Sequence, residues 1–251
     1  MIKFFRKIRQ QLLVQNKISK YLFYAIGEII LVVIGILIAL QVNMMNEQRK
    51  ENDFEIKILK EIKGNLLTDL NEISEDIGLM DDINKACLDV KQHLQTLDQP
   101  TDSFSISSSI LRVTPHFSPI NSGYNLLQSH GVRIIKNDNL RNDISFQYDM
   151  LYPYYKTYEE ERSRFHALHS EPQLLDYFSM YFDKTKDPSF YGLYFEISLE
   201  DYQKLKSDSK FLKLITAIAF ENKTIQDRAK RVEASINALI SNIEVELEKK
   251  E

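Results

Sequence analysis

Residues 21–42 read YLFYAIGEIILVVIGILIALQV, and this stretch decides the architecture of the chain. At about 1.5 Å per residue it makes about 33 Å of helix, enough to cross a hydrocarbon core. Only Glu28 and Gln41 are strongly polar within it. The apolar run is too long for a cleaved signal peptide and ends LIALQVNMM without a small-residue cleavage site, so it reads as an uncleaved signal anchor.

Orientation follows from the flanks. Residues 1–20 carry Lys3, Arg6, Lys7, Arg9, Lys17 and Lys20 and no acid, whereas residues 43–60 mix four bases with four acids. The N-terminus is therefore expected in the cytoplasm and the C-terminal domain outside it. Ile2, Phe5, Ile8, Leu12 and Leu13 fall near one helical face among those cations, a pattern suited to lying along the anionic inner leaflet. Within the span, Gly27, Gly35 and Ala39 fall roughly on one face with Glu28 beside them, a smooth surface on which a second helix could pack. Glu28 has two readings: placement at the membrane interface, or pairing with a cation or donor on a partner helix.

Beyond the span, Phe54, Ile58, Ile62, Leu66, Leu70, Ile73, Ile77, Met80, Ile83, Cys87, Leu94 and Leu97 recur three or four apart. The spacing predicts a long helix over about 46–97, which Gly64 and Gly78 can bend and Asp98-Gln99-Pro100 ends. A second stripe, Phe211, Leu214, Ile218, Ile225, Val232, Ile236, Leu239, Ile243 and Leu247, predicts another over about 208–249. The two stripes are expected to cover each other as an antiparallel stalk, with their charged faces solvated.

All six prolines lie between Pro100 and Pro188, so the intervening segment, about 101–206, reads as short helices. Asn121-Ser122 and Asp138 are candidate caps, Ser198 with Asp201 resembles a capping box, and Pro153 marks a kink or break near Tyr152. Strand signals are weak throughout. The fold class is thus all-α: a transmembrane helix over 21–42 and an extracytoplasmic helical bundle over 43–251, two long antiparallel helices with an inserted set of short ones.

The run GEIILVVIGILIALQVN at Gly27–Asn43, preceded by MIKFFRKIRQQLL, closely resembles the start of a family of single-pass bacterial membrane proteins built on a domain of unknown function; SGYNLLQSHGVRIIKNDNLRNDI at Ser122–Ile144 is similar to a later part of it. The chain departs from that family at Met44-Met45, where a tryptophan is common. The resemblance implies a Gram-negative inner-membrane setting and no assigned reaction.

Chemistry-bearing motifs are few. No phosphate-cradling glycine loop, nucleophile elbow or zinc helix occurs, no metal or other cofactor is expected, and the chain does not read as an enzyme. A single cysteine, Cys87, excludes an internal disulfide. The first 20 residues hold six of the 32 cations, leaving 26 cations against 36 acids in the rest, a net −10 that disfavours nucleic acid. His166 and His169 have a metal-like spacing without further ligands and read as core or surface side chains. Glu159-Glu160-Glu161 beside Arg162 and Arg164 read as solvated ion pairs, and Asn222-Lys223-Thr224 as a chance match to a glycosylation acceptor.

The strongest anomaly is aromatic, with fourteen Tyr and Phe residues between Tyr148 and Phe195. Such rings fill space among short helices, or they line a ligand or partner surface, for which Tyr124, Arg133, Arg141, Tyr148 and Tyr152 are the candidates. The expected partners are the lipid bilayer and either a second copy or an envelope protein. The expected function is a membrane-anchored, non-enzymatic scaffold or accessory subunit; the alternative is a periplasmic sensor-like module that binds a small molecule or peptide and signals through a partner.

Overall fold

The computed structural model describes residues 18–189 and 191–250. Most of the basic segment expected over residues 1–20, and Phe190, lie outside them. The described residues are mostly helical: α1 (Ile18–Thr96), α2 (Asp102–Ile110), α3 (Ser122–His130), a 3-10 turn (Val132–Ile134), α4 (Asp138–Phe146), a π turn (Gln147–Leu151), α5 (Tyr152–Phe165), a second π turn (His166–Ser170), α6 (Glu171–Leu175), strands β1 (Ser179–Phe182) and β2 (Leu193–Glu196), α7 (Leu199–Ser207) and α8 (Ser209–Glu248).

The chain divides into two compact units, 1–55 and 56–251. The described part of the first is the start of α1, a helix long and apolar enough to cross a membrane. Leu22, Phe23, Ile29, Ile30, Leu31 and the apolar residues that follow to Val42 are all exposed along it.

In the second unit the two apolar stripes are interior. Ile58, Ile62, Leu66, Ile73, Met80, Ile83 and Cys87 of α1 are buried, as are all nine stripe positions of α8. Truncating one such side chain to Ala typically costs about 2–5 kcal/mol. Residue numbers fall along α8 as they rise along α1: Lys63 Nζ lies 2.7 Å from Glu244, Ser74 Oγ donates to Glu233 at 2.7 Å, and Gln226 donates to Asp81 at 2.5 Å. Asn222 is fully buried and donates to the Met80 carbonyl at 2.6 Å and to Asn84 at 2.9 Å, so the would-be glycosylation acceptor sits inside the helix pair. Gly64 and Gly78 leave α1 uninterrupted, and Leu97, outside the helix, is 41% exposed.

At the Thr96 end of α1, Val90 and Leu94 join Phe104 of α2, Phe178, Phe195, Tyr202 of α7 and Phe211 in one apolar cluster. Phe104 meets the Tyr202 ring edge-on, centroids 5.2 Å apart. The strands β1 and β2 form an antiparallel hairpin that the sequence reading did not foresee. Gly192 occupies the left-handed region at φ 59° just before β2, where its missing Cβ leaves room for Phe182 and Lys184.

Helix ends correct several expected caps. The cap of α4 is Asn137, whose side chain accepts from the Leu140 amide at 3.2 Å, and Asp138 is already helical. Asn121 makes no side-chain cap bond to α3; that helix end is satisfied from α1. Ser198 does cap α7, accepting from the Asp201 amide at 3.0 Å. Pro153 falls in the first turn of α5, directly after the π turn, where its missing N–H is tolerated.

Candidate functional site

Residues 113–121, between α2 and α3, form no regular element and contain Pro115 and Pro119. Proline biases its predecessor toward extended backbone, and extended chain cannot satisfy its own amides. The long helix α1 does so with side chains. Asn65, Asp69, Glu72 and Asp76 are spaced four, three and four, which puts them on one helical face. Asn65 Oδ1 accepts from the Gly123 amide at 2.9 Å, Asp69 Oδ1 from Ile120 at 2.9 Å, and Glu72 Oε1 from Ser118 at 3.1 Å; Asp76 faces the His116 amide. The segment is thus a strap running antiparallel to α1. From the other side, Glu159 of α5 takes the Phe117 amide at 2.8 Å. Phe117 is driven inward, edge-on to Tyr152 at 5.3 Å and Tyr155 at 5.9 Å.

Between the strap and the run from the first π turn into α5 lies a groove of about 440 Å³, walled by Phe117, Ser118, Pro119 and Asn121 on one side and by Tyr148, Tyr152, Pro153 and Lys156 on the other. Clefts of about 560 and 470 Å³ run elsewhere along α1, and their walls are mostly charged, serine and aliphatic side chains. The strap groove is where aromatic faces and polar groups converge, the usual makeup of a ligand site.

Its tyrosines are held from behind. The Tyr152 hydroxyl donates to Asp69 Oδ2 at 2.7 Å. Tyr148 stacks on Tyr124 with centroids 4.6 Å apart and planes 6° from parallel, and Tyr124 donates to Asp149 at 2.5 Å. Burial and then the Asp69 charge push the pKa values of Tyr148 and Tyr152 well above the ordinary phenol value, so both stay protonated. The Tyr148 hydroxyl is buried and has no hydrogen-bond partner among the described residues.

Of the five candidate ligand residues, the fold brings together Tyr124, Tyr148 and Tyr152. Arg133 is exposed on the 3-10 turn. Arg141 spends its guanidinium on the Ile135 carbonyl at 3.0 Å and on Asp138 at 2.7 Å, which holds the loop before α4. The transmembrane candidates Gly27, Glu28, Gly35 and Ala39 all lie on α1 within the first unit; a Cβ at Gly27 or Gly35 would meet nothing within 4 Å, and Ala39 is exposed.

Asp69, Phe117 and Lys156, which no motif singles out, belong to the site, as does Glu159, expected as a solvated ion pair. The acidic run is corrected in particular: Glu160 and Glu161 are exposed, whereas Glu159 and Arg162 are 3% and 1% exposed. The spacing carries the signal, because Tyr148, Tyr152, Tyr155, Glu159, Arg162, His166 and Ser170 are three or four apart and all buried. They form a polar face turned inward.

Burial raises Glu159 to about 7, reinforced by Asp76 and opposed by the Phe117 amide and by Lys156, whose ammonium is 3.5 Å away. Burial likewise raises Asp76 to about 6, with Glu72 and Glu75 adding to it. Cys87 is pushed up to about 12 by burial, so its thiol is neutral and a poor nucleophile. His166 is buried and His169 exposed, so the pair does not converge, and the described residues contain no cluster of three or more metal-ligating side chains. The chemistry this arrangement offers is recognition by ring faces and one ammonium. No family model, curated protein or solved structure matches the chain.

Proposed function

We propose that this protein is a membrane-anchored, extracytoplasmic binding module of the sensor-like kind, with the strap groove as its ligand site. The apolar start of α1 supports the anchor, and the bias of cations toward residues 1–20 supports a cytoplasmic N-terminus. The groove carries the proposal: stacked and edge-on rings form its walls, and Lys156 supplies a cationic donor at its rim. This chemistry suits a small molecule or short peptide with a planar or apolar body and an anionic end.

One observation favours a second reading, in which the unit engages an envelope protein or another copy as an accessory subunit. Phe146, Met150 and Tyr154 recur every four residues along one continuous helical run and are 55%, 61% and 49% exposed. An apolar row of this kind is typical of a contact surface.

A photo-crosslinking amino acid placed at Lys156 and, separately, at Met150 in the full chain, irradiated in native membranes, separates the two. The groove reading expects a low-mass adduct at position 156 by mass spectrometry of the purified chain. If position 156 stays unmodified while position 150 captures a protein or a second copy, the groove reading fails and the accessory-subunit reading stands.

A further inference from the structure

Arg162 is 1% exposed, and its Nε, Nη1 and Nη2 have no hydrogen-bond partner among the described residues. A buried guanidinium with all donors uncompensated costs several kcal/mol, so proteins hold such a group against an acceptor. The protein groups around it do not supply one. The Phe165 ring lies 5.9 Å from Cζ, a weak cation–π distance. The Cys87 thiol facing it is held neutral by burial, and the Glu221 carboxylate is within electrostatic reach yet accepts no hydrogen bond from it.

Further groups point the same way. His166 and Ser170 follow Arg162 at four-residue steps on the inward face, 8% and 0% exposed, and His166 Nδ1 and Ser170 Oγ also have no partner among the described residues. Both lie in the second π turn. Such one-turn insertions cluster at functional sites and widen the helix where they occur. Arg112, the next cation toward this face, is already committed to Glu171, with N···O distances of 2.8 and 3.0 Å.

We propose that Arg162, His166 and Ser170 form an interior site for a small oxyanion, either a carboxylate or an inorganic oxyanion. The guanidinium fork would meet two of its oxygens, and the serine and imidazole would complete the set. The site is separate from the strap groove and stands or falls independently of it.

The test is thermal unfolding of the full chain in detergent, in Tris buffer with chloride as its counter-ion, with acetate, phosphate or sulfate exchanged for chloride at constant ionic strength and added chloride as the control. The expected result is a saturable rise in Tm of several degrees with acetate or with phosphate and sulfate, and none with chloride; the responding anion identifies the source. Arg162→Met removes the uncompensated charge, so in the chloride buffer the variant should melt no lower than the parent, and it should lose the oxyanion response. If Arg162→Met does not accumulate, Ser170→Ala and His166→Gln should each raise the half-saturating anion concentration about fivefold or more. A parent chain indifferent to all four anions, or one stabilised equally by chloride, overturns the proposal. So does an undiminished response in Arg162→Met, or in both fallback variants.

Discussion

Asp69 is the residue at which helix, strap and groove meet. It is fully buried, and its two oxygens serve different partners, the Ile120 amide of the strap and the Tyr152 hydroxyl of the groove wall. Burial pushes its pKa up while those two donors pull it down, so the fold must retain an acceptor here more than it must retain a charge. Asp69→Ala strands two buried donors and should destabilise the chain by roughly 2–4 kcal/mol, whereas Asp69→Asn keeps one acceptor and should cost about half as much. Urea unfolding of the two variants in detergent measures this. An Asp69→Ala cost under about 0.5 kcal/mol, the range of an ordinary surface change, would mean that the strap is not anchored through this carboxylate.

At the scale of elements, the strap depends on how closely α3 approaches α1. A Cβ added to Gly123 would lie 2.9 Å from both the Ile62 amide nitrogen and its Cγ1. Because one of those atoms is backbone, the contact cannot be relieved by a rotamer change, and Gly123→Ala should cost roughly 1–3 kcal/mol despite the helix preference of Ala. The increase in hydrogen exchange should be concentrated at Ile120 and Gly123; an increase spread evenly over α8 would argue against a local strap.

The same contrast explains what the sequence could disclose about the elements. The long helices were legible because Ile58 to Cys87 and Phe211 to Leu247 bury one apolar face, and apolar period is the strongest signal a sequence carries. The strap was not legible: Asn65, Asp69, Glu72 and Asp76 have the spacing and polarity of an ordinary solvated face, and only the folded chain shows extended backbone lying across them. Aromatic enrichment singles out Tyr148 and Tyr152, which the fold places on one groove wall. Arg133 and Arg141 do not line the groove, because a cation near an aromatic cluster in sequence need not face it. The hairpin was hidden because β1 and β2 are four residues each and lack a long alternating pattern.

For the molecule as a whole, the inward-turned carboxyls set how stability depends on pH. Asp76 and Glu159 are 9% and 3% exposed and are raised by burial to about 6 and about 7; Asp69 is raised as well. A carboxyl raised on folding binds its proton more tightly in the native state, so its contribution is fully present below the unfolded value, near 4, and is lost as pH rises through the folded value. Carboxylates nearer the surface that gain hydrogen bonds, such as the exposed Asp98 and the half-buried Asp201 and Asp208, are lowered and act in the opposite sense, their contribution disappearing only in strong acid. Stability should therefore be greatest near pH 4 and decline as pH rises through 6 and 7 toward pH 8. Rises from 3.8 to about 6 for Asp76 and from 4.5 to about 7 for Glu159 correspond to roughly 6 kcal/mol at most, and because part of the Glu159 rise comes from the Asp76 charge, a fall of about 3 kcal/mol between pH 5 and pH 8 is the expected outcome. Urea midpoints of the full chain in detergent across that range test the sign, and the double variant Asp76→Asn, Glu159→Gln should flatten the slope because neither amide can ionise. A parent chain that gains stability from pH 5 to pH 8, or a double variant that keeps the parent's slope, would place the controlling charges elsewhere than on the inward face of α5 and its partner on α1.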